Sequence, residues 1–173
     1  MLLASLVFLA ACGSGDNPSG NVDDAPTVSN QDAIKAIDLT KDQSTQAFLA
    51  SLGSGRVAKE AILYADLTGD KRDEAIVPVT SDGTLGNIGY IVLTMTSGTP
   101  SPILTRTMDR STASGLKMSV DSGTLQETVG VYGKEDPLCC PSQLRKTTFR
   151  WDGKLLQVEK ETVAANPNGG PKS

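Results

Sequence analysis

Leu116-Lys117-Met118-Ser119-Val120-Asp121 alternates apolar and polar residues without a break. Successive side chains of a strand point to opposite faces, so this hexapeptide reads as a strand with one dry face and one wet face. The same texture extends in both directions. Short strand-like runs cover 60–66, 74–80, 88–96, 103–107, 125–132, 145–151 and 155–161, separated by Gly, Asp, Ser and Pro. Trp151-Asp152-Gly153-Lys154 places an Asp-Gly turn between two such runs and predicts a hairpin. Ala61 to Ala65 and Ile88 to Leu93 are nearly continuous apolar runs, expected as central strands buried on both faces. Pro78 cannot donate to a ladder and is expected at a strand end or on an edge.

Upstream of the strands the spacing becomes helical. Ala33, Ile34 and Ile37 form one short apolar face, and Ala47, Phe48 and Leu52 form a second. Asp42 or Ser44 is available to cap the second helix, and Gly53-Ser54-Gly55 ends it. One or two N-terminal helices followed by a mainly antiparallel sheet of seven or eight short strands make an α+β domain, expected over residues 31–163. The breaker-rich 164–173 is expected to fray.

Composition narrows the function classes. The chain has 173 residues, 38% of them hydrophobic but only 4% aromatic, so Ile, Leu and Val must fill the core of a single domain. Twenty acidic residues against 16 basic ones give a net charge of -4, with no Lys/Arg-rich run. Neutralising phosphates needs clustered cations, and a nucleic-acid partner is not expected. Histidine is absent, which removes the commonest general base and the commonest metal ligand.

Residues 1–11, MLLASLVFLAA, are uncharged and apolar. About 20 such residues are needed to cross a bilayer core; this run instead has the length of a signal-peptide core. The string Leu9-Ala10-Ala11-Cys12 resembles the lipobox of bacterial lipoproteins. That resemblance implies removal of residues 1–11, diacylation of Cys12, and a membrane partner reached through the lipid on the outer side of the cytoplasmic membrane. An ordinary signal peptide cleaved at the small residues is the alternative. From Gly13 to Asn30 the chain is Gly, Ser, Asn, Asp and Pro with almost nothing apolar, so 12–30 is expected to be a lipidated tether that cannot offset its ordering entropy.

Two motifs carry possible chemistry. In Asp66-Leu67-Thr68-Gly69-Asp70-Lys71-Arg72-Asp73-Glu74, oxygen side chains at 66, 68, 70 and 74 resemble the short calcium loops of propeller and adhesion repeats, where the ion takes six to eight oxygens. Under that reading Asp66, Thr68, Asp70 and Glu74 are calcium ligands. Lys71 and Arg72 oppose it, and the alternative is a tight connection of Asx turns with Gly69 at positive φ.

The second motif is Asp136-Pro137-Leu138-Cys139-Cys140-Pro141-Ser142. With Cys12 committed to lipid, Cys139 and Cys140 are the remaining thiols in an oxidising compartment. A vicinal disulfide, two reduced thiols, and a redox or metal-responsive pair are the open readings; two thiolates with no His complete no usual zinc tetrahedron. The stretch CCPSQLRKTTFRWDG, 139–153, also resembles the C-terminal part of the LppP/LprE lipoproteins. That likeness implies a cell-envelope lipoprotein and no particular reaction. A serine nucleophile lacks a His base, leaving Ser142 with Lys146 or Ser119 with Lys117 as chance pairs. The sequence therefore points to a lipid-anchored binding or structural module that is not an enzyme, with a thiol-redox role for Cys139 and Cys140 as the alternative.

Overall fold

The computed structural model describes residues 30–137 and 139–169. The expected signal peptide, Cys12, the expected tether as far as residue 29, Leu138 and the last four residues lie outside them.

The domain is mainly an antiparallel sheet. A 3-10 helix (Asn30–Ala36) and one α-helix, α1 (Gln43–Leu52), precede β1 (Arg56–Val57), β2 (Leu63–Ala65), β3 (Glu74–Thr80), β4 (Asn87–Thr96), β5 (Thr99–Thr107), β6 (Ala113–Asp121), β7 (Thr124–Val131), β8 (Gln143–Trp151) and β9 (Leu156–Ala165). These nine strands exceed the expected seven or eight. The first apolar face belongs to the 3-10 helix, so α1 is the one α-helix among the described residues. Asp42 caps α1 by accepting the Thr45 N–H at 2.9 Å, and Phe48 and Thr45 are its buried residues.

The sheet bends into two leaves. β1 to β5 form one and β6 to β9 the other, joined through the single pairing Asn87↔Leu116 between β4 and β6. Alternation in β3 explains the layering. Ala75, Val77 and Val79 pack with Ile34, Leu39 and Phe48 under the helical segments. Ile76, with Tyr90 and Val92 of β4, faces Leu125, Val129 and Phe149 of the other leaf. Ile88 to Leu93 is buried throughout, as a central strand covered on both faces should be.

Two expectations about the strands fail for one reason. Pro78 sits inside buried β3, opposite Tyr90 of β4, and not at an end or edge. Its carbonyl accepts the Ala58 N–H at 3.0 Å, so its missing N–H points the same way, toward β1 and β2. There the neighbouring chain leaves the ladder as a 3-10 turn, Lys59–Ala61, between β1 and β2. The expected central strand 60–66 is thus only the half-buried three-residue β2. A proline without a donor is accommodated where its neighbour is interrupted.

β5 begins earlier than expected because Thr99-Pro100-Ser101-Pro102 lies on an edge, where proline is tolerated. β9 runs on through Ala165 into the stretch read as tail, and Asn166 is held by its N–H to Ser142 O at 2.7 Å and by its amide to Pro141 O at 2.8 Å. The β8–β9 hairpin forms as the sequence indicates. Its loop spans 152–155, with Asp152 accepting the N–H groups of Lys154 and Leu155 at 2.8 Å and Gly153 at φ +99°.

Candidate functional site

The 66–74 loop and the Trp151–Lys154 turn face each other across one cleft. Its walls are the 66–74 loop, the β4–β5 hairpin and the β8–β9 hairpin, and its volume is about 680 Å³. Trp151, the chain's one tryptophan, packs partly on the inter-leaf core. It lines this cleft and two adjoining depressions, one reaching Asp66 and Glu159, the other Arg150 and Gln157.

The loop is a set of Asx turns. Asp66 accepts the N–H of Gly69 at 2.6 Å with one carboxylate oxygen and that of Lys71 at 2.9 Å with the other. Gly69 (φ +80°) and Lys71 (φ +66°) both take left-handed conformations there. Asp70 accepts the backbone N–H of Arg72 at 2.9 Å and its Nε at 2.8 Å. That guanidinium holds the Asp70 carboxyl below the ordinary carboxylate range.

Glu74 turns inward and is fully buried. It accepts the Leu67 N–H at 2.8 Å and the Thr94 hydroxyl at 2.9 Å, with the Thr68 hydroxyl at 3.5 Å. Burial raises its pKa, and the backbone N–H of Leu67 opposes the rise. Among the described residues no group of three or more His, Cys, Asp or Glu side chains is placed to hold a metal ion. Asp66, Asp70 and Glu74 each serve a different partner.

Cys139 and Cys140 lie elsewhere, in the β7–β8 connection. Trp151 ends β8 and Gln143 begins it, so the cysteine loop is about 27 Å from the cleft along the strand at about 3.4 Å per residue. The two sulfurs are at disulfide-bonding distance. Asp136 clamps the loop, accepting the N–H of Gly133 at 2.7 Å and of Ser142 at 2.6 Å, and these bonds lower its pKa. Cys139 is exposed and Cys140 half-buried. Of the Ser–Lys pairs, Lys117 and Ser119 are exposed on β6, and Ser142 gives its N–H to Asp136.

A polar cluster absent from the sequence reading lies between the leaves. Arg106 of β5 donates Nε and Nη2 to Glu127 of β7, both at 3.0 Å, and the Tyr90 hydroxyl donates to the same carboxylate at 3.0 Å. The guanidinium stands 5.4 Å from the centre of the Phe149 ring. Burial, then the Glu127 charge, pushes the Tyr90 phenol well above its ordinary pKa. The signal for this cluster was present in the alternation: Leu125, Glu127 and Val129 share a strand face, as do Leu104, Arg106 and Met108, so each charge stands on an apolar side.

The chain is 28% identical over 185 residues to Lipoprotein CseA of Streptomyces avermitilis, a similarity covering 95% of this chain and 83% of that protein. No family model matches the chain, so its likeness to the LppP/LprE lipoproteins rests on the quoted residues alone. No solved structure matches it. No helix among the described residues is long and apolar enough to cross a membrane.

Proposed function

We propose that this protein is a lipid-anchored, extracytoplasmic binding module of the cell envelope, attached through Cys12 and docking its ligand in the Trp151 cleft without catalysing a reaction. Two things support the anchor: the Leu9-Ala10-Ala11-Cys12 string and similarity along nearly the whole chain to a protein named as a lipoprotein. The docking role rests on one observation, the convergence of the 66–74 loop and the β8–β9 hairpin on a half-exposed tryptophan. A concave surface with an aromatic wall and a few fixed polar groups is what ligand sites share. Asp70, the carboxylate in its lining, is already committed to the backbone N–H and the guanidinium of Arg72, which suits a rigid recognition surface better than proton transfer.

Hydrogen exchange of the full chain, with and without a purified envelope fraction, tests the docking role. Protection confined to amides of 67–72 and 150–155 is the expected result. Protection only along β9 or around Cys139 would overturn it. Palmitate labelling tests the anchor: Cys12→Ala should abolish the label and release the protein from the membrane fraction, and continued labelling would contradict the anchor.

A further inference from the structure

We infer that the ligand of the Trp151 cleft is a neutral saccharide, bound with a sugar ring against the indole and its hydroxyls donating to the cleft floor. The inference rests on the reading of this cleft as the docking surface and adds the chemical class.

The floor fixes which hydrogen-bonding partner fits. Thr94 lines the cleft and gives its hydroxyl proton to buried Glu74 at 2.9 Å. Thr68, also on the floor, has its hydroxyl 3.5 Å from the same carboxylate. A hydroxyl carries one donor and two acceptor lone pairs. With the proton drawn inward by the carboxylate, only lone pairs remain for the cleft. The floor is therefore an acceptor surface, and a matching ligand is a hydrogen-bond donor.

Charge excludes the common charged donors. Arg72 and Asp70 in the lining bind each other, and the charge left beside them is Lys154, so an ammonium ligand would meet like charge. An anion finds little more, because the guanidinium of Arg72 is already bound by Asp70 and a single exposed lysine, Lys154, is a weak anchor. What remains is a neutral donor such as a hydroxyl or an amide N–H.

Trp151 supplies the other half of the match. Indole offers a large apolar face, while Pro102, Ile103 and Leu155 extend the apolar surface beside it. A pyranose has this dual character, with C–H groups over its ring faces and hydroxyls around its rim. Two further depressions, of about 580 and 410 Å³, border the same tryptophan, which leaves room for more than one linked ring.

Calorimetry of the detergent-solubilised full chain tests this. Chitotetraose and maltotetraose are the soluble probes, sedimentation with insoluble cell-wall glycan reports the polymer-bound source, and polygalacturonate and a neutral tetrapeptide are the contrasting classes. Saturable binding of at least one neutral saccharide at millimolar concentration is expected. Thr94→Val should weaken it about tenfold, the loss of roughly one hydrogen bond, and Trp151→Phe should weaken it less than Trp151→Ala. Lys117→Ala, an exposed position on β6 outside the cleft lining, should leave the neutral saccharide bound. Binding of soluble saccharide alone, or of wall glycan as well, tells the two sources apart. Absence of binding to every neutral saccharide overturns the proposal. If polygalacturonate or the tetrapeptide binds instead, the docking role stands and the saccharide class falls; if the exchange footprint misses the cleft, both fall.

Discussion

Arg106 grips both carboxylate oxygens of Glu127 at 3.0 Å, tying the edge strand of one leaf to a strand of the other through their shared interior. Glu127 is only 3% exposed. Removing one member of a buried pair strands the other without water, and the cost, about 3 to 5 kcal/mol, exceeds the net worth of the pair. Arg106→Met should therefore destabilise the fold by that amount in urea unfolding. Arg106→Met with Glu127→Leu should recover most of it, since an apolar replacement of a buried pair is often neutral or better. Equal loss in the single and double variants would show that the ion pair is not the relevant interaction.

The clamp at Asp136 predicts an acid-side dependence of stability. The N–H groups of Gly133 and Ser142 lower its folded-state pKa below the ordinary 3.8. A depressed carboxyl stabilises the fold above its unfolded pKa, and that stabilisation is lost as the pH falls through the folded value. Asp136→Asn should thus melt below the parent protein at pH 6, with the difference shrinking as the pH drops below about 4. A constant difference over that range would mean that ionisation of Asp136 does not matter.

Gly153 has φ +99°, and no heavy atom lies within 4 Å of where its Cβ would be. Gly153→Val should cost about 1 to 3 kcal/mol from backbone strain alone. No clash at the new Cβ adds to that cost. An unchanged melting temperature would show that the 152–155 loop relaxes to another turn.

For Cys139 and Cys140, alkylation without reductant should leave the mature protein's mass unchanged. A crosslink between neighbours closes almost no loop, so it removes little entropy from the unfolded chain. Replacing both with Ser should lower stability by no more than about 1 to 2 kcal/mol, within the range of ordinary point changes. Two added alkyl groups in the mass experiment would mean free thiols and would move the redox reading forward.

Local pattern carried most of the sheet. Met118 and Val120 alternate with exposed neighbours on β6 as the periodicity implies, and the Asp152-Gly153 turn needs only local chemistry. What escaped depended on contacts distant in sequence. Pro78 is allowed in a buried strand only because the chain at Lys59–Ala61 leaves its side of the ladder. The apolar run Ala61 to Ala65 implies a central strand only in the absence of the same information. At the candidate site, Trp151 and Asp70 were each visible in the sequence but 81 positions apart, and nothing local says that a hairpin and a loop close on one another. Glu74, a calcium ligand by its spacing, shares a strand face with Ile76 and Pro78, which marks it as inward.

Because Trp151 is the chain's one tryptophan, its fluorescence reports on the proposed docking surface and nothing else. Acrylamide quenching of the purified full chain in detergent should be compared without and with protein-free envelope wall material. If the cleft is the docking surface, the sample with wall material should show a blue-shifted emission and a clearly lower quenching constant, and Thr94→Val should return both toward the values without it. Identical emission and quenching in the two samples would contradict the account.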